Sequence, residues 1–256
     1  MSATATVFEG SGAAMQAVSD GAACLVVTSP PFFDMPTERS LRSPIEEQSD
    51  ARAVEHALMR YASRLAPVFA EIARVLSRKG ILVLHTKDIA YGGLLLPLAA
   101  RHEALAAEQG FRAFTRIGWI PTDRPRRSWR RSASAPRVGG FRAPQCEFFV
   151  AMRRLEAPRR QSGPVVAEVE GQDFLAEPVW RTSCERHRPR HRHAGPPEVF
   201  RRLLALYSRP GELVVDPFCG GGGVLAIARE MGRDAVGYDI DPRAVALARA
   251  RIGAGE

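Results

Sequence analysis

The sequence predicts an α/β fold built on a mostly parallel sheet. Short apolar runs alternate with longer stretches in which apolar residues recur three and four positions apart, the pattern of strands alternating with helices. One apolar run, residues 213–215, leads into Asp216-Pro-Phe-Cys-Gly-Gly-Gly-Gly223, a stretch that lets a strand turn directly into a helix. The next run, 235–238, ends on an acid, Asp239.

The elements follow in order. Strands are expected at 5–8, 23–27, 80–84, 111–120, 147–152, 212–215 and 235–238, each a run of about strand length rich in apolar residues. Helices are expected at 51–76, 94–109, 197–207, 222–231 and 242–252, where the apolar spacing is helical. Asp241 followed by Pro242 makes a cap and first-turn pair for the last of them. Residues 121–143 are rich in Arg, Ser, Pro and Gly and read as a substrate-facing loop; residues 156–177 read as a polar linker.

A chain of 256 residues that is 45% hydrophobic can bury a full core, as one large domain or two small ones. The apolar stretch 94–100 is too short for a membrane span and is broken by Pro97, and the amino terminus lacks a charged leader and an apolar secretory core. The reading is a cytoplasmic protein with no membrane partner. Cys24, Cys146, Cys184 and Cys219 are too widely spaced for a disulfide framework. Cys184, His187, His191 and His193 offer zinc-binding side-chain types in a short span, but no second Cys pair accompanies them. The plainer reading is an Arg/His-rich surface loop with no metal.

The net charge is +8, and it is localised. Between Arg112 and Arg160 there are 13 arginines against only Asp123, Glu147 and Glu156, and the only lysines in the chain are Lys79 and Lys87. Arginine supplies planar forks suited to phosphate oxygens and guanine edges, so the stretch points to a polyanionic partner.

The glycines at 220–223 remove side chains where the strand enters the helix, letting a ligand approach the backbone amides at the helix start. A dinucleotide fingerprint would place a third glycine at 225, where Leu225 stands, and no lysine follows as in a phosphate-cradling loop. Asp239, 19 residues beyond Gly220, stands where an acid can accept both hydroxyls of a ribose.

At the other end of the chain, Thr28-Ser-Pro-Pro-Phe-Phe33 follows the apolar run that ends at Val27. Pro30 and Pro31 fix two φ angles and hold Ser29 extended, so that the Ser29 hydroxyl and the Pro30 carbonyl can form a rigid pair of acceptors. An exocyclic amine on a nucleobase is a poor nucleophile because its lone pair is delocalised into the ring. Positioned acceptors for its protons are the help it needs. Phe32 offers a flat face to a base rotated out of a duplex, a contact worth roughly 1–3 kcal/mol.

Together these segments resemble the cofactor and catalytic loops of the amino-group DNA methyltransferases, with the catalytic segment first, as in the permuted beta group of that family. The resemblance covers roughly Val7 to Met152 and Val179 to Ile252. It implies a Rossmann-like, doubly wound, mostly parallel sheet with an antiparallel edge, the circularly permuted class I methyltransferase fold. It implies a single domain, 1–256, made of a catalytic half (1–154), a linker (155–177) and a cofactor-binding half (178–256). S-adenosyl-L-methionine is the implied cofactor, held by Asp216, Phe218, Gly220, Gly222 and Asp239. This chain departs from the family at Gly221, where serine is frequent, and at Gly223-Val224, where two threonines are frequent. Ser29, Pro30, Pro31 and Phe32 are the implied catalytic residues.

Pro144-Gln-Cys-Glu-Phe-Phe-Val150 is similar to the strand that follows the family's recognition region. That places Arg124, Arg126, Arg127, Trp129, Arg130 and Arg131 on duplex DNA in a recognition loop, 121–143. A serine before the two prolines tends in the family to accompany methylation of cytosine N4, and aspartate or asparagine there to accompany adenine N6. The favoured activity is therefore N4-cytosine methylation; adenine N6 or RNA is the rival substrate, and an inactive Arg-rich DNA-binding module is the rival of another class. Homodimers and a cognate restriction enzyme are further partners the resemblance admits, and a nucleoid location goes with DNA as substrate. His85, Lys87 and Asp88, after the strand ending at Leu84, are second-tier site candidates.

Overall fold

The computed structural model describes residues 3–31, 51–91, 94–122, 137–138, 141–142, 146–156, 177–183 and 195–253. Its strands are β1 (Ala5–Glu9), β2 (Ala23–Thr28), β3 (Leu76–Thr86), β4 (Ile89–Tyr91), β5 (Leu94–Leu96), β6 (Phe111–Pro121), β7 (Arg137–Val138), β8 (Phe141–Arg142), β9 (Glu147–Arg154), β10 (Val179–Thr182), β11 (Leu213–Asp216) and β12 (Asp234–Asp239). The helices are α1 (Ala51–Val75), α2 (Leu98–Glu108), α3 (Pro197–Tyr207), α4 (Gly223–Glu230) and α5 (Pro242–Gly253).

One eight-stranded sheet runs in the order β1-β12-β11-β2-β3-β9-β6-β10. Among the described residues of that sheet only β9 is reversed, pairing antiparallel with both β3 and β6. The antiparallel strand expected at the edge therefore lies two places in, because β6 and the added strand β10 stand outside it. The sheet is a mixed, mostly parallel one with helices, as the sequence predicts.

Alternation along the strands builds a core on each face. From β2, Ala23 and Val26 join a cluster with Val54, Leu58, Leu65 and Ile72 of α1 and Leu105 of α2. Leu25 and Val27 of the same strand turn the other way, to Leu203 and Leu204 of α3, Leu225 of α4 and Val245 of α5. Each buried Val or Leu contributes roughly 1.5–3 kcal/mol, and a slip of one residue would exchange the two sets, so packing fixes the register. A buried parallel strand reads as an unbroken apolar run for the same reason.

The seven expected strands and five expected helices are all present, with two shifted starts and one additional sheet strand. The helix expected from residue 94 begins at Leu98, and Leu94–Leu96 instead pairs with β4 as a short hairpin. Pro97 causes this, since the residue before a proline is driven to extended conformation and a helix starts naturally after it. The strand expected at 80–84 begins at Leu76, directly after α1. β10 is short and carries an exposed arginine, Arg181, so its sequence gives little strand signal. Its place is fixed by Thr182 Oγ1, which accepts a 2.9 Å hydrogen bond from Nε1 of buried Trp119.

Two crossovers leave the middle of the sheet in opposite directions: β2–α1–β3 towards one edge and β11–α4–β12 towards the other. β2 and β11 are paired neighbours, Val214 with Leu25 and Val215 with Val26. The crevice of a doubly wound sheet opens at such a reversal, beyond the carboxyl ends of the two strands. β2 ends there on Thr28 and β11 on Asp216.

Candidate active site

Thr28 Oγ1 donates a 2.7 Å hydrogen bond to Asp216 Oδ1, joining the amino-terminal and carboxyl-terminal motifs across 188 residues. Both side chains are buried, and the same carboxylate oxygen accepts the Phe218 amide at 3.1 Å. Burial pushes the Asp216 carboxyl up to about 7 despite those two donors, with Asp239 nearby raising it further.

On the cofactor side the chain turns at Gly222, whose φ of 71° lies in the left-handed region. A Cβ there would stand 2.8 Å from the Ala248 Cβ, so the position calls for glycine on two grounds. Gly222 caps α4, whose amino end thereby faces the crevice. Asp239 accepts the Gly220 amide at 2.8 Å on Oδ2 and the Asp241 amide at 2.9 Å on Oδ1. Each oxygen keeps a second lone pair, so a diol remains within its capacity. Asp241 Oδ1 accepts the Arg243 amide at 2.9 Å, the capping role its sequence position predicts. Phe218 is half-buried, and Ile240, just beyond Asp239, is 68% exposed.

On the catalytic side Ser29 is half-buried at the head of Pro30 and Pro31. The Pro31 carbonyl accepts a 2.6 Å hydrogen bond from the Tyr61 hydroxyl. That hydroxyl also lies 2.7 Å from His102 Nε2, and His102 Nδ1 lies 2.8 Å from Thr86 Oγ1. A hydroxyl has one proton to give, so His102 must donate from Nε2 and accept on Nδ1. The chain Thr86→His102→Tyr61→Pro31 is therefore directional. It requires a neutral imidazole, and burial pushes His102 down to about 3, well below the usual histidine range.

A second chain runs from Ser29 itself. Ser29 Oγ lies 2.8 Å from His85 Nδ1, and His85 Nε2 lies 2.7 Å from Glu147 Oε2. The imidazole stacks on Phe149 with centroids 4.3 Å apart, and Trp119 and Phe200 meet it edge-on. His85 and Glu147 are buried.

Ser29, Pro30 and Pro31 thus stand beside the loop that carries Asp216, Phe218, Gly220 and Gly222, with Asp239 bonded to that loop. Of the second-tier residues, His85 reaches Ser29, whereas Asp88 Oδ1 accepts the Ala99 amide at 3.1 Å, at the start of α2. Phe32 lies outside the described residues, as do Arg124, Arg126, Arg127, Trp129, Arg130, Arg131, Cys184, His187, His191 and His193. Residues 157–176 of the expected linker lie outside them too. Thr28, Tyr61, His102 and Glu147 are site residues that the sequence alone does not single out. Their one legible signal is a polar side chain set into or closing an apolar run.

No helix among the described residues is long and apolar enough to cross a membrane. Residues 23–250 match the family model N6_N4_Mtase, described as DNA methylase. The type II methyltransferase M.XycI of Xanthomonas campestris pv. cyanopsidis is 26% identical over 270 residues, covering 96% of this chain and 87% of the relative. M.Cfr9I of Citrobacter freundii is 25% identical over 271 residues, covering 97% and 87%. Among solved structures, the DNA modification methylase TTHA0409 of Thermus thermophilus in complex with S-adenosyl-L-methionine aligns with a TM-score of 0.70 at 23% identity, covering 98% of this chain and 95% of that one. PvuII DNA methyltransferase, described as cytosine-N4-specific, aligns with a TM-score of 0.73 at 14% identity, covering 98% and 87%. These structural likenesses extend the fold argument, and the family match extends the chemical one. The chain belongs to the N6/N4 DNA methylase family and is an S-adenosylmethionine-dependent DNA amino-methyltransferase.

Proposed function

We propose that the protein methylates N4 of cytosine in duplex DNA, on a base rotated out of the helix into the crevice between β2 and β11. The observation that carries this reading is the 2.7 Å bond from Thr28 to Asp216, which sets the residue before Ser29 against the glycine loop. A methyl donor held on that loop and an amine held at Ser29 would share one cleft. S-adenosylmethionine, when bound, supplies a methyl group on a positively charged sulfur. Gly220 and Gly222 leave backbone amides open at the head of α4, Phe218 offers a packing face, and Asp239 offers lone pairs to the ribose. Ser29 Oγ and the Pro30 carbonyl would accept the two amine protons, with Phe32 stacking on the ring.

Serine at position 29 favours cytosine N4 through the family tendency, and the N4-specific PvuII enzyme shares the fold. The recognition segment 121–143 leaves from the end of β6 and returns at β9, whose first residue, Glu147, reaches the Ser29 chain through His85. Its arginines would thus contact DNA from the rim of the same crevice. All of these residues would belong to one domain spanning 1–256.

Incubation with labelled cofactor and duplex DNA of mixed sequence, followed by nucleoside analysis, tests the reading. Wild-type protein is expected to yield labelled N4-methylcytosine and Ser29→Ala about 10²-fold less. Labelled N6-methyladenine would overturn the choice of base, and no labelled nucleoside from wild type would overturn the activity. Replacing Arg126 and Arg127 together by alanine should weaken DNA binding and reduce its salt slope by about two. An unchanged slope would remove those two residues from the interface.

A further inference from the structure

The chain Ser29–His85–Glu147 does more than fill space. A Glu147 carboxylate can only accept, so the proton on its side of the ring belongs to His85 Nε2, 2.7 Å away. In a neutral ring His85 Nδ1 is then a bare acceptor, and the group facing it at 2.8 Å is the Ser29 hydroxyl. The Ser29 proton is directed inward to the ring, leaving the oxygen's lone pairs for the crevice. Rings of Phe149, Trp119 and Phe200 surround the imidazole, and in such low-dielectric surroundings both a hydrogen bond and a neighbouring charge act strongly.

We propose that His85 and Glu147 are positioning residues for methyl transfer, fixing Ser29 Oγ as an acceptor towards the target amine and taking up the proton that the amine sheds. The inference rests on the reading of Ser29 as the amine-binding residue and deepens it. As the amine nitrogen forms its bond to the methyl carbon, the carbon–sulfur bond breaks and its electron pair stays on sulfur. The nitrogen is left with a positive charge and one proton too many. That proton passes to Ser29 Oγ while the hydroxyl proton passes to His85 Nδ1. The resulting imidazolium is held by the Glu147 carboxylate until water removes the proton after product leaves. Atoms and charge balance without any further reactant. The argument applies equally to a cytosine or an adenine amine.

Two measurements test it. In cofactor-free wild-type protein, ring nitrogen NMR of histidine is expected to show His85 protonated on Nε2 and bare on Nδ1, the signal being assigned by its loss in His85→Asn. A proton resident on Nδ1 would overturn the orientation. Glu147→Gln keeps an acceptor for Nε2 through its amide oxygen and loses the charge. Its single-turnover rate is expected to fall about 10²-fold while its affinities for S-adenosylmethionine and for DNA stay within about twofold of wild type. An unchanged rate, or a loss matched by lost affinity, would reduce Glu147 to a structural role and overturn the relay. The NMR experiment needs no turnover, so it judges the relay even if wild-type protein methylates nothing, which would defeat the activity reading instead.

Discussion

The two sides of the crevice are built by different means. The cofactor side is local in sequence: within residues 213–243 the turn at Gly222, the Asp239 bond to the Gly220 amide and the Asp241 cap are backbone conformations or bonds to backbone amides. The catalytic side is assembled from far apart: Thr28 with Asp216, Ser29 with His85, His85 with Glu147 and Tyr61 with His102 are side chains meeting across 188, 56, 62 and 41 residues. Backbone geometry writes glycine, proline and aspartate at fixed spacing. Side-chain chains depend on which strands are neighbours, and strand order is a property of the whole fold.

Asp216 belongs to both sides, and its titration is expected to give the largest effect. Its folded value, about 7, lies above the ordinary value of 3.8. Below pH 4 the carboxyl is protonated folded or unfolded. As pH rises towards 7 the unfolded chain releases the proton first, so stability present at low pH is lost, on the order of 4 kcal/mol by neutrality. Asp216→Asn keeps an acceptor for Thr28 and for the Phe218 amide without this ionisation. Denaturant unfolding of the cofactor-free proteins at pH 5 and pH 8 should show the variant gaining on wild type as pH rises. Parallel pH slopes would detach Asp216 from the account. Gly222→Ala comes next, at about 3 kcal/mol from positive φ and from crowding against Ala248 together. It should weaken cofactor binding in calorimetry and leave cofactor-free DNA binding intact. Wild-type cofactor affinity in that variant would deny the turn its role.

That division explains how far the chain can be read directly. Leu213–Asp216 and Asp234–Asp239 announce themselves by unbroken apolar runs closed by an acid, and Pro30-Pro31 by the rigidity it imposes. His85 draws notice because it closes an apolar run, and Asp241 because a proline follows it. Glu147 gives no sign of its partner: a glutamate before Phe148-Phe149 reads as the polar start of a strand until β9 is seen beside β3. Tyr61 and His102 look like ordinary members of helical faces, since nothing in their spacing reveals that α1 and α2 meet over the Pro31 carbonyl. Leu94–Leu96 reads as part of a helix because apolar content alone does not separate three strand residues from a first helical turn; Pro97 decides it.

Tyr61→Phe tests the assembled side at a smaller scale. It strips the donor from the Pro31 carbonyl and the acceptor from His102 Nε2, at a cost of about 2 kcal/mol for buried groups left without that partner. Because the loss bears on the loop beginning at Ser29, methyl transfer should slow while cofactor affinity is retained. A variant with wild-type transfer rate would show that the Pro31 carbonyl needs no brace.

Asp241→Ala provides the mildest and most local test, on the cofactor side. The Asp241 side chain accepts the Arg243 amide at the start of α5, and its own amide is held by Asp239 Oδ1. Removing the cap should cost about 1 kcal/mol of stability. The Asp239–Asp241 bond uses the backbone of residue 241 and survives the substitution, so Asp239 should keep its orientation towards Gly220. Thermal unfolding is therefore expected to shift down by a few degrees, with cofactor affinity unchanged. A cofactor affinity that falls with the cap would mean that the acid's position depends on the helix behind it, and the cofactor side would then be less self-contained than its short sequence span suggests.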